Sequence, residues 1–316
     1  MSRHDQQSAL PEIGHEGQQI ITKARILVVG VGALGSTAAE LLCRAGVGEL
    51  TLCDYDIVEE SNLQRQSLYT TEDIGRLKVE AAKEHLIAID PMCIVKSIPE
   101  PFSASTPLDG ISVVVDGTDN LDSRLLLNDA CRKTGVPLVI GTASGTRGLV
   151  FVARPGAACW QCIARGKTAD DDCGSVLGPA THAIASLQVA ATLRTLLGQA
   201  PKELVEFDAW HQTLRAIAVR QNPSCDACNG RYLYLNAKPA MHFCQSRSRV
   251  VARPNVPRVI DLEKARHLGV VLHDYGGAIQ LRLERGTVLV HKHGAIEFSD
   301  VPEHDAHLLV EKLLGE

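Results

Sequence analysis

The first regular feature of the chain is an unbroken apolar run, Ile26-Leu27-Val28-Val29. Continuous rather than alternating hydrophobicity marks a strand covered on both faces, as in a parallel sheet. Behind it Leu34, Ala38, Leu41, Leu42 and Ala45 recur at the spacing of one helix face, and Glu49 to Cys53 makes a second strand. The alternation continues with a helix over 73–89 (Ile74, Leu77, Ala81, Ala82, Leu86, Ile89), then strands over 93–98 and 111–115. A helix over 123–133, strands over 138–140 and 149–153, a helix over 181–197 and strands over 204–210 and 214–219 complete the series. Strands alternating with helices predict an α/β fold, a doubly wound, Rossmann-like, mostly parallel sheet. A short amphipathic helix over 13–21 should pack on it.

The polar intervals divide the chain. The stretch 57–71 is too polar for a core element, and 164–179 reads as a long loop crossing between the two halves. A second unit begins near Arg231, where Pro239, Pro254 and Pro257 punctuate a linker-like region. Beyond it a helix (261–268), three short strands (277–283, 286–292, 295–298) and a last helix (303–314) predict a small C-terminal α/β domain. The expected domains are 1–232 and 233–316.

Composition narrows the function classes. A net charge of −5 with mixed signs and only 4% aromatics argue against nucleic acid as a partner. No apolar run approaches a membrane span and the first residues are polar, so neither membrane nor signal peptide is expected. Four of the ten cysteines form two C-x-x-C pairs, Cys159/Cys162 and Cys225/Cys228, while the others are scattered. That pattern suits a reducing cytoplasm and one metal site better than a disulfide scaffold.

Candidate chemistry collects at predicted strand ends. Gly30, Gly32 and Gly35 follow the first strand in G-x-G-x-x-G spacing and open a helix, where backbone can approach a phosphate. Asp54 ends the second strand, placed for ribose hydroxyls, and Asp56 stands two residues on; a solvated acidic pair is the plainer alternative. Asn62, Gln64, Arg65 and Gln66 make a polar loop; Arg65 and Lys78 are natural phosphate clamps, although Lys78 in isolation reads as a solvated lysine. Asp119, in the run DGTDN ending at Asn120, closes the fourth strand and suits Mg²⁺ beside a triphosphate. The two cysteine pairs, brought together by folding, would make a closed tetrahedral zinc site of structural type. Cys173 stands in an acidic loop whose carboxylates should raise its pKa; nucleophile and inert thiol are equally open readings.

Taken together, LPEIGHEGQQ (10–19), ILVVGVGALGS (26–36), LTLCDYDIVEESNLQRQSLY (50–69), D-I-G-x-x-K (73–78), DGTDN (116–120), the paired C-x-x-C motifs and GPATHAIASLQVAATLRTLLG (178–198) resemble the ThiF/MoeB/HesA family, the ubiquitin-activating-enzyme-like adenylyltransferases. The resemblance spans about 3–232. It implies ATP bound by the glycine turn, Asp54 on the ribose, and Asn62, Arg65 and Lys78 on the triphosphate, with Asp56, Gln64 and Asn120 nearby. It further implies Mg²⁺ on Asp119, zinc on the four cysteines, thioester or persulfide chemistry at Cys173 in some members, and a homodimer. The activity implied is adenylation of the C-terminal glycine of a small ubiquitin-like sulfur-carrier protein. One departure stands out: where members carry an arginine that reaches the neighbouring protomer's triphosphate, this chain has Gln6, with Arg3 the remaining nearby cation. That departure keeps open a non-catalytic member acting as binding partner or scaffold; the glycine turn alone would also admit an NAD-dependent oxidoreductase.

Overall fold

Two sheets share the chain. The computed structural model describes residues 3–164, 175–236, 241–246, 249–254 and 259–314. Helices α1 (Asp5–Ser8) and α2 (Gly14–Lys23) lead into β1 (Arg25–Val29), α3 (Ala33–Arg44), β2 (Glu49–Cys53), α4 (Lys78–Ile89) and β3 (Ile94–Ile98). The chain then returns through β4 (Val113–Asp116), α5 (Leu121–Thr134), β5 (Leu138–Ser144), β6 (Arg147–Ala153), α6 (Trp160–Ile163), α7 (Gly178–Leu196), β7 (Glu203–Asp208) and β8 (Thr213–Ala218). These strands form one sheet in the order β3-β2-β1-β4-β5-β6-β7-β8, parallel through β5 and antiparallel beyond it.

Burial explains the unbroken apolar runs. Successive residues of β1 enter opposite cores: Ile26 and Val28 pack with α3, α4 and α7 residues such as Leu42, Leu86 and Ile184, while Leu27 and Val29 pack with Leu125, Leu127 and Trp160 from α5 and α6. Both faces are dry, so every position must be apolar. Strands are added in one direction from β1 to β3 and in the other from β4 onward, and the carboxyl ends of the parallel neighbours β1 and β4 open the crevice where open α/β sheets place ligands.

The helix expected over 73–89 begins only at Lys78. Thr70 and Asp73 cap each other reciprocally and close a separate 3₁₀ turn over Thr71–Asp73. Gly75 then takes φ +88°, which a helix cannot include, and Ile57 bridges to Leu77 before α4 starts. Lys78 therefore sits at a helix start.

The linker-like reading of the region after Arg231 is also corrected. β9 (Met241–Ser246) and β10 (Arg249–Pro254) pair antiparallel there, with Pro254 at the end of its strand where a missing N–H matters least. They join β11 (Val270–Asp274), unanticipated in the sequence, β12 (Ala278–Arg282), β13 (Thr287–His291) and β14 (Ile296–Ser299) in an antiparallel sheet ordered β11-β12-β13-β14-β10-β9. Helices α8 (Leu262–Ala265) and α9 (Glu303–Leu314) cover it over a core that includes Phe298, Ile296, Val290 and Val310. Ala278 and Leu289 of this sheet pack on Ile57 and Leu77, so it rests against the approach to α4. Among the described residues no helix is long and apolar enough to cross a membrane.

Candidate active site

The turn between β1 and α3 is shaped by three glycines, not all from the G-x-G-x-x-G set. Gly30 holds φ +79°, and a Cβ there would stand 2.7 Å from the Gly117 carbonyl. A Cβ on Gly35 would run into the Gly30 carbonyl oxygen, as would one on Gly117. Gly30, Gly35 and Gly117 thus let the ends of β1 and β4 touch the first turn of α3. Gly32 is different: a Cβ there would meet nothing nearer than Gln66 Nε2 at 3.8 Å, so its bareness serves the cavity rather than the packing. Gly32 is the N-cap of α3, with no side chain capping the amides behind it, which is the arrangement that receives an anion.

Gly30, Gly32, Asp54, Asp56, Asn62, Arg65, Lys78, Asp119 and Asn120 all line one cavity at the strand ends. Asp54 accepts the Val31 amide on Oδ2 (2.6 Å) and the Asp56 amide on Oδ1 (2.8 Å), so it ties the glycine turn to the end of β2. Burial raises its pKa, partly offset by the nearby Lys78 ammonium. Lys78 donates to Asp56 Oδ2 at 2.8 Å and is only 6% exposed, not the solvated lysine its sequence context suggested. Burial and the positive end of α4 both oppose a cation at that position. The Asp56 and Asp54 carboxylates outweigh burial and hold the ammonium's pKa above its ordinary value. Tyr69, fully buried, donates its hydroxyl to the Val31 carbonyl (2.8 Å), clamping the glycine turn from the far side.

Arg65 donates to the Ser61 carbonyl at 2.9 Å while its side chain borders the cavity. Asn62 is buried and closes the 3₁₀ turn Glu60–Asn62, its Oδ1 accepting the Glu59 amide. Gln64 is exposed and is not part of the cavity wall, whereas Gln66, 3% exposed, is. Asp119 reaches the cavity as an exposed carboxylate, and Asn120 caps α5 by accepting the Ser123 amide at 2.8 Å. Arg3 is tied elsewhere, donating to the Ile89 carbonyl (2.6 Å) beside Asp90, and Gln6 is exposed on α1; neither borders the cavity of this chain. Cys173 lies outside the described residues.

Several wall residues went unread in the sequence. Arg124 is 3% exposed, donates to Asp116 Oδ2 at 2.7 Å and to the Thr118 carbonyl, and so braces the DGTDN run. Its signal was available, a cation eight residues after a buried acid. Leu289, His291 and Glu297 reach the cavity from the second sheet, more than 160 residues after Arg124, and no local pattern announces them.

The cysteine pairs meet. Sγ of Cys159 lies 3.5 Å from that of Cys225 and 4.0 Å from that of Cys162, and Cys162 lies 3.6 Å from Cys228. Four thiolates about 2.3 Å from one tetrahedral ion stand roughly 3.8 Å apart, so the cluster fits such an ion with small adjustments. Gln161 joins it to α5, donating to Asp129 Oδ1 (2.9 Å) while its Oε1 receives the Ala227 amide (3.2 Å).

Residues 4–227 match the ThiF family. The chain is 34% identical to the sulfur carrier protein ThiS adenylyltransferase of Bacillus subtilis (strain 168), over 83% of this chain and 82% of that protein. It is 36% identical to the molybdopterin-synthase adenylyltransferase of Salmonella typhimurium, covering 72% and 96% respectively. In fold it is similar to the crystal structure of E. coli MccB, with TM-score 0.64 and 18% identity over 72% of each chain. The glycine turn, the buried lysine–carboxylate pair and the paired cysteines thus occur in a chain that belongs to the ThiF family, a nucleotidyltransferase of its ThiF/MoeB adenylyltransferase type.

Proposed function

We propose that the protein uses Mg·ATP to adenylate the C-terminal glycine carboxylate of a small ubiquitin-like sulfur-carrier protein. The observation that carries this reading is the convergence of an uncapped helix start at Gly32, the Lys78 ammonium and Arg65 on one cavity that also contains Asp54 and Asp119. In the reaction a carboxylate oxygen of the carrier attacks the α-phosphorus, the bond to the bridging oxygen breaks, and pyrophosphate leaves with that electron pair. No side-chain nucleophile is needed. Arg65 and Lys78 hold the phosphates and meet the charge that builds on the departing pyrophosphate, and Asp54 takes the ribose. Mg²⁺ held by Asp119 would supply a second positive centre for the phosphates. Zinc is the ion we assign to the four cysteines, and the unit 1–232 is the adenylating domain to which 233–316 is appended.

Relatives named for ThiS and molybdopterin-synthase activation support the class of partner. A homodimer is part of the same reading: Trp210 (71% exposed) and the exposed Leu214 on the edge strand β8 offer apolar surface for a second copy. A cytoplasmic location belongs to the same reading, supported by the free thiols of the cysteines among the described residues.

Exchange of labelled pyrophosphate into ATP should depend on a Gly-Gly-tailed carrier and vanish when its last glycine is deleted. Nucleotide binding without carrier-dependent exchange would overturn the reading. The scaffold alternative rests on Gln6; if Gln6→Arg raises exchange, the native protein is a weakened enzyme rather than a scaffold.

A further inference from the structure

The second sheet sends two polar side chains into the cavity that the adenylation reading leaves without a task. His291, at the end of β13, is 1% exposed, and neither of its ring nitrogens has a hydrogen-bond partner. A buried polar group without a hydrogen bond costs roughly 1–3 kcal/mol, so an imidazole that meets its carboxylate neighbours only at ion-pair distance calls for an explanation. Its Nε2 is directed at carboxylates from two different elements, 3.6 Å from Glu297 Oε1 on β14 and 3.9 Å from Asp56 Oδ1 beyond β2. The ligating atoms of all three residues lie within 4.8 Å of one another.

Those separations are too long for hydrogen bonds but close to the spacing of ligands around one ion. Atoms about 2.1 Å from a shared cation stand roughly 3.0–3.5 Å apart in octahedral or tetrahedral geometry, so the 3.6 and 3.9 Å separations need only small shifts, and the set, within 4.8 Å, can converge on one ion whose remaining positions water fills. Asp56 can serve both neighbours, since Lys78 occupies Oδ2 while Oδ1 faces His291. Asp54, Asp56 and Glu297 also bring three carboxyl groups around the one ammonium of Lys78 and the imidazole, an acidic surplus that a divalent charge would balance.

We propose that Asp56, His291 and Glu297 form a binding site for a divalent cation, separate from the cysteine cluster and from Asp119, that fastens the C-terminal sheet to the mouth of the cavity. One imidazole with two carboxylates selects ions such as Mn²⁺ or Zn²⁺ over Mg²⁺, which prefers oxygen and water. The site draws one ligand from the strand-end loop after β2 and two from the second sheet, so ion binding couples the two sheets. The inference does not depend on the adenylation reading.

The test is titration of the full chain with Mn²⁺ in the absence of nucleotide, followed by electron paramagnetic resonance of unbound Mn²⁺ and by thermal melting. Mn²⁺ is a poor match for four thiolates, so the cysteine cluster does not compete. The expected result is one saturable site per chain whose filling raises Tm. His291→Ala and Glu297→Gln should each weaken it at least ~10-fold, the low end of what losing even an outer-shell partner costs a metal site. Asp119→Asn should leave it unchanged. His291→Leu, close in side-chain volume and without a ligating atom, serves if the alanine variant fails to fold. Absence of a saturable site, equal affinity in the His291 and Glu297 variants, or loss of the site in Asp119→Asn would each overturn the proposal.

Discussion

At the scale of single residues, the balance of charge around Lys78 keeps a buried ammonium in place and, on the proposed reading, serves the chemistry. The ammonium is enclosed, faces the wrong end of a helix dipole, and is held by Asp56 and Asp54. Lys78→Ala removes the counter-charge and leaves the Asp54–Asp56 pair uncompensated. It should cost about 3 kcal/mol of unfolding free energy in denaturant titration. Carrier-dependent pyrophosphate exchange should fall ~10²–10³-fold, the scale of losing one preorganised charge stabiliser. A variant that melts normally and exchanges normally would show that the lysine is a bystander. A second buried acid, Asp129, sets a pH dependence of its own. Burial pushes its carboxyl up to about 6, against the hydrogen bonds from the Tyr234 amide and the Asn128 side chain. The folded protein therefore holds this proton at pH values where the unfolded chain has released it. Stability contributed here is present at low pH and is lost as pH rises from about 4 to about 6. Across that window the unfolding free energy of wild type minus that of Asp129→Asn should fall as pH rises, the other carboxylates contributing equally to both.

At the scale of elements, the glycines separate two jobs that a motif runs together. Gly35→Ala forces its new methyl into the Gly30 carbonyl, so α3 must move off the sheet; a loss of about 1–3 kcal/mol is expected in thermal or chemical unfolding. Gly32→Ala meets only open cavity and should leave Tm nearly unchanged while weakening ATP protection against unfolding. If both variants behave alike, the division between packing and ligand approach is wrong. The paired cysteines form another element-scale device, because the short helix α6 and the 3₁₀ turn Ala227–Asn229 have little core of their own. If the cysteines hold zinc as proposed, Cys225→Ser or prolonged chelation should lower Tm and release zinc to a colorimetric indicator. An unchanged melt after complete metal loss would count against a structural ion.

At the scale of the whole molecule, how much was legible in the sequence depended on how local each cause is. The parallel strands were plain because two-sided burial forces unbroken apolar runs such as Ile26–Val29. Helix α4 was misplaced at its start since the capping pair Thr70–Asp73 and the positive φ of Gly75 interrupt a spacing that looks continuous from Ile74 onward. The hairpin of β9 and β10 was hidden because prolines read as linker punctuation, whereas one of them simply ends a strand. Gln66 and Arg124 were adjacent to motifs but unassigned, because which of several nearby polar side chains turns inward is decided by packing, not by spacing.

The amino-acid order alone determined the Rossmann-like sheet, the glycine turn at its first strand and the two cysteine pairs, since each follows from the period of burial or from residues only a few positions apart. Tertiary structure alone decided that Lys78 is buried against Asp56, that four distant thiols meet, and that His291 and Glu297 from the far sheet enter the first sheet's cavity. The reason is physical: a buried charge or an orphaned imidazole gains its meaning from the field and the partners around it, and those are supplied by chain segments that come together only on folding.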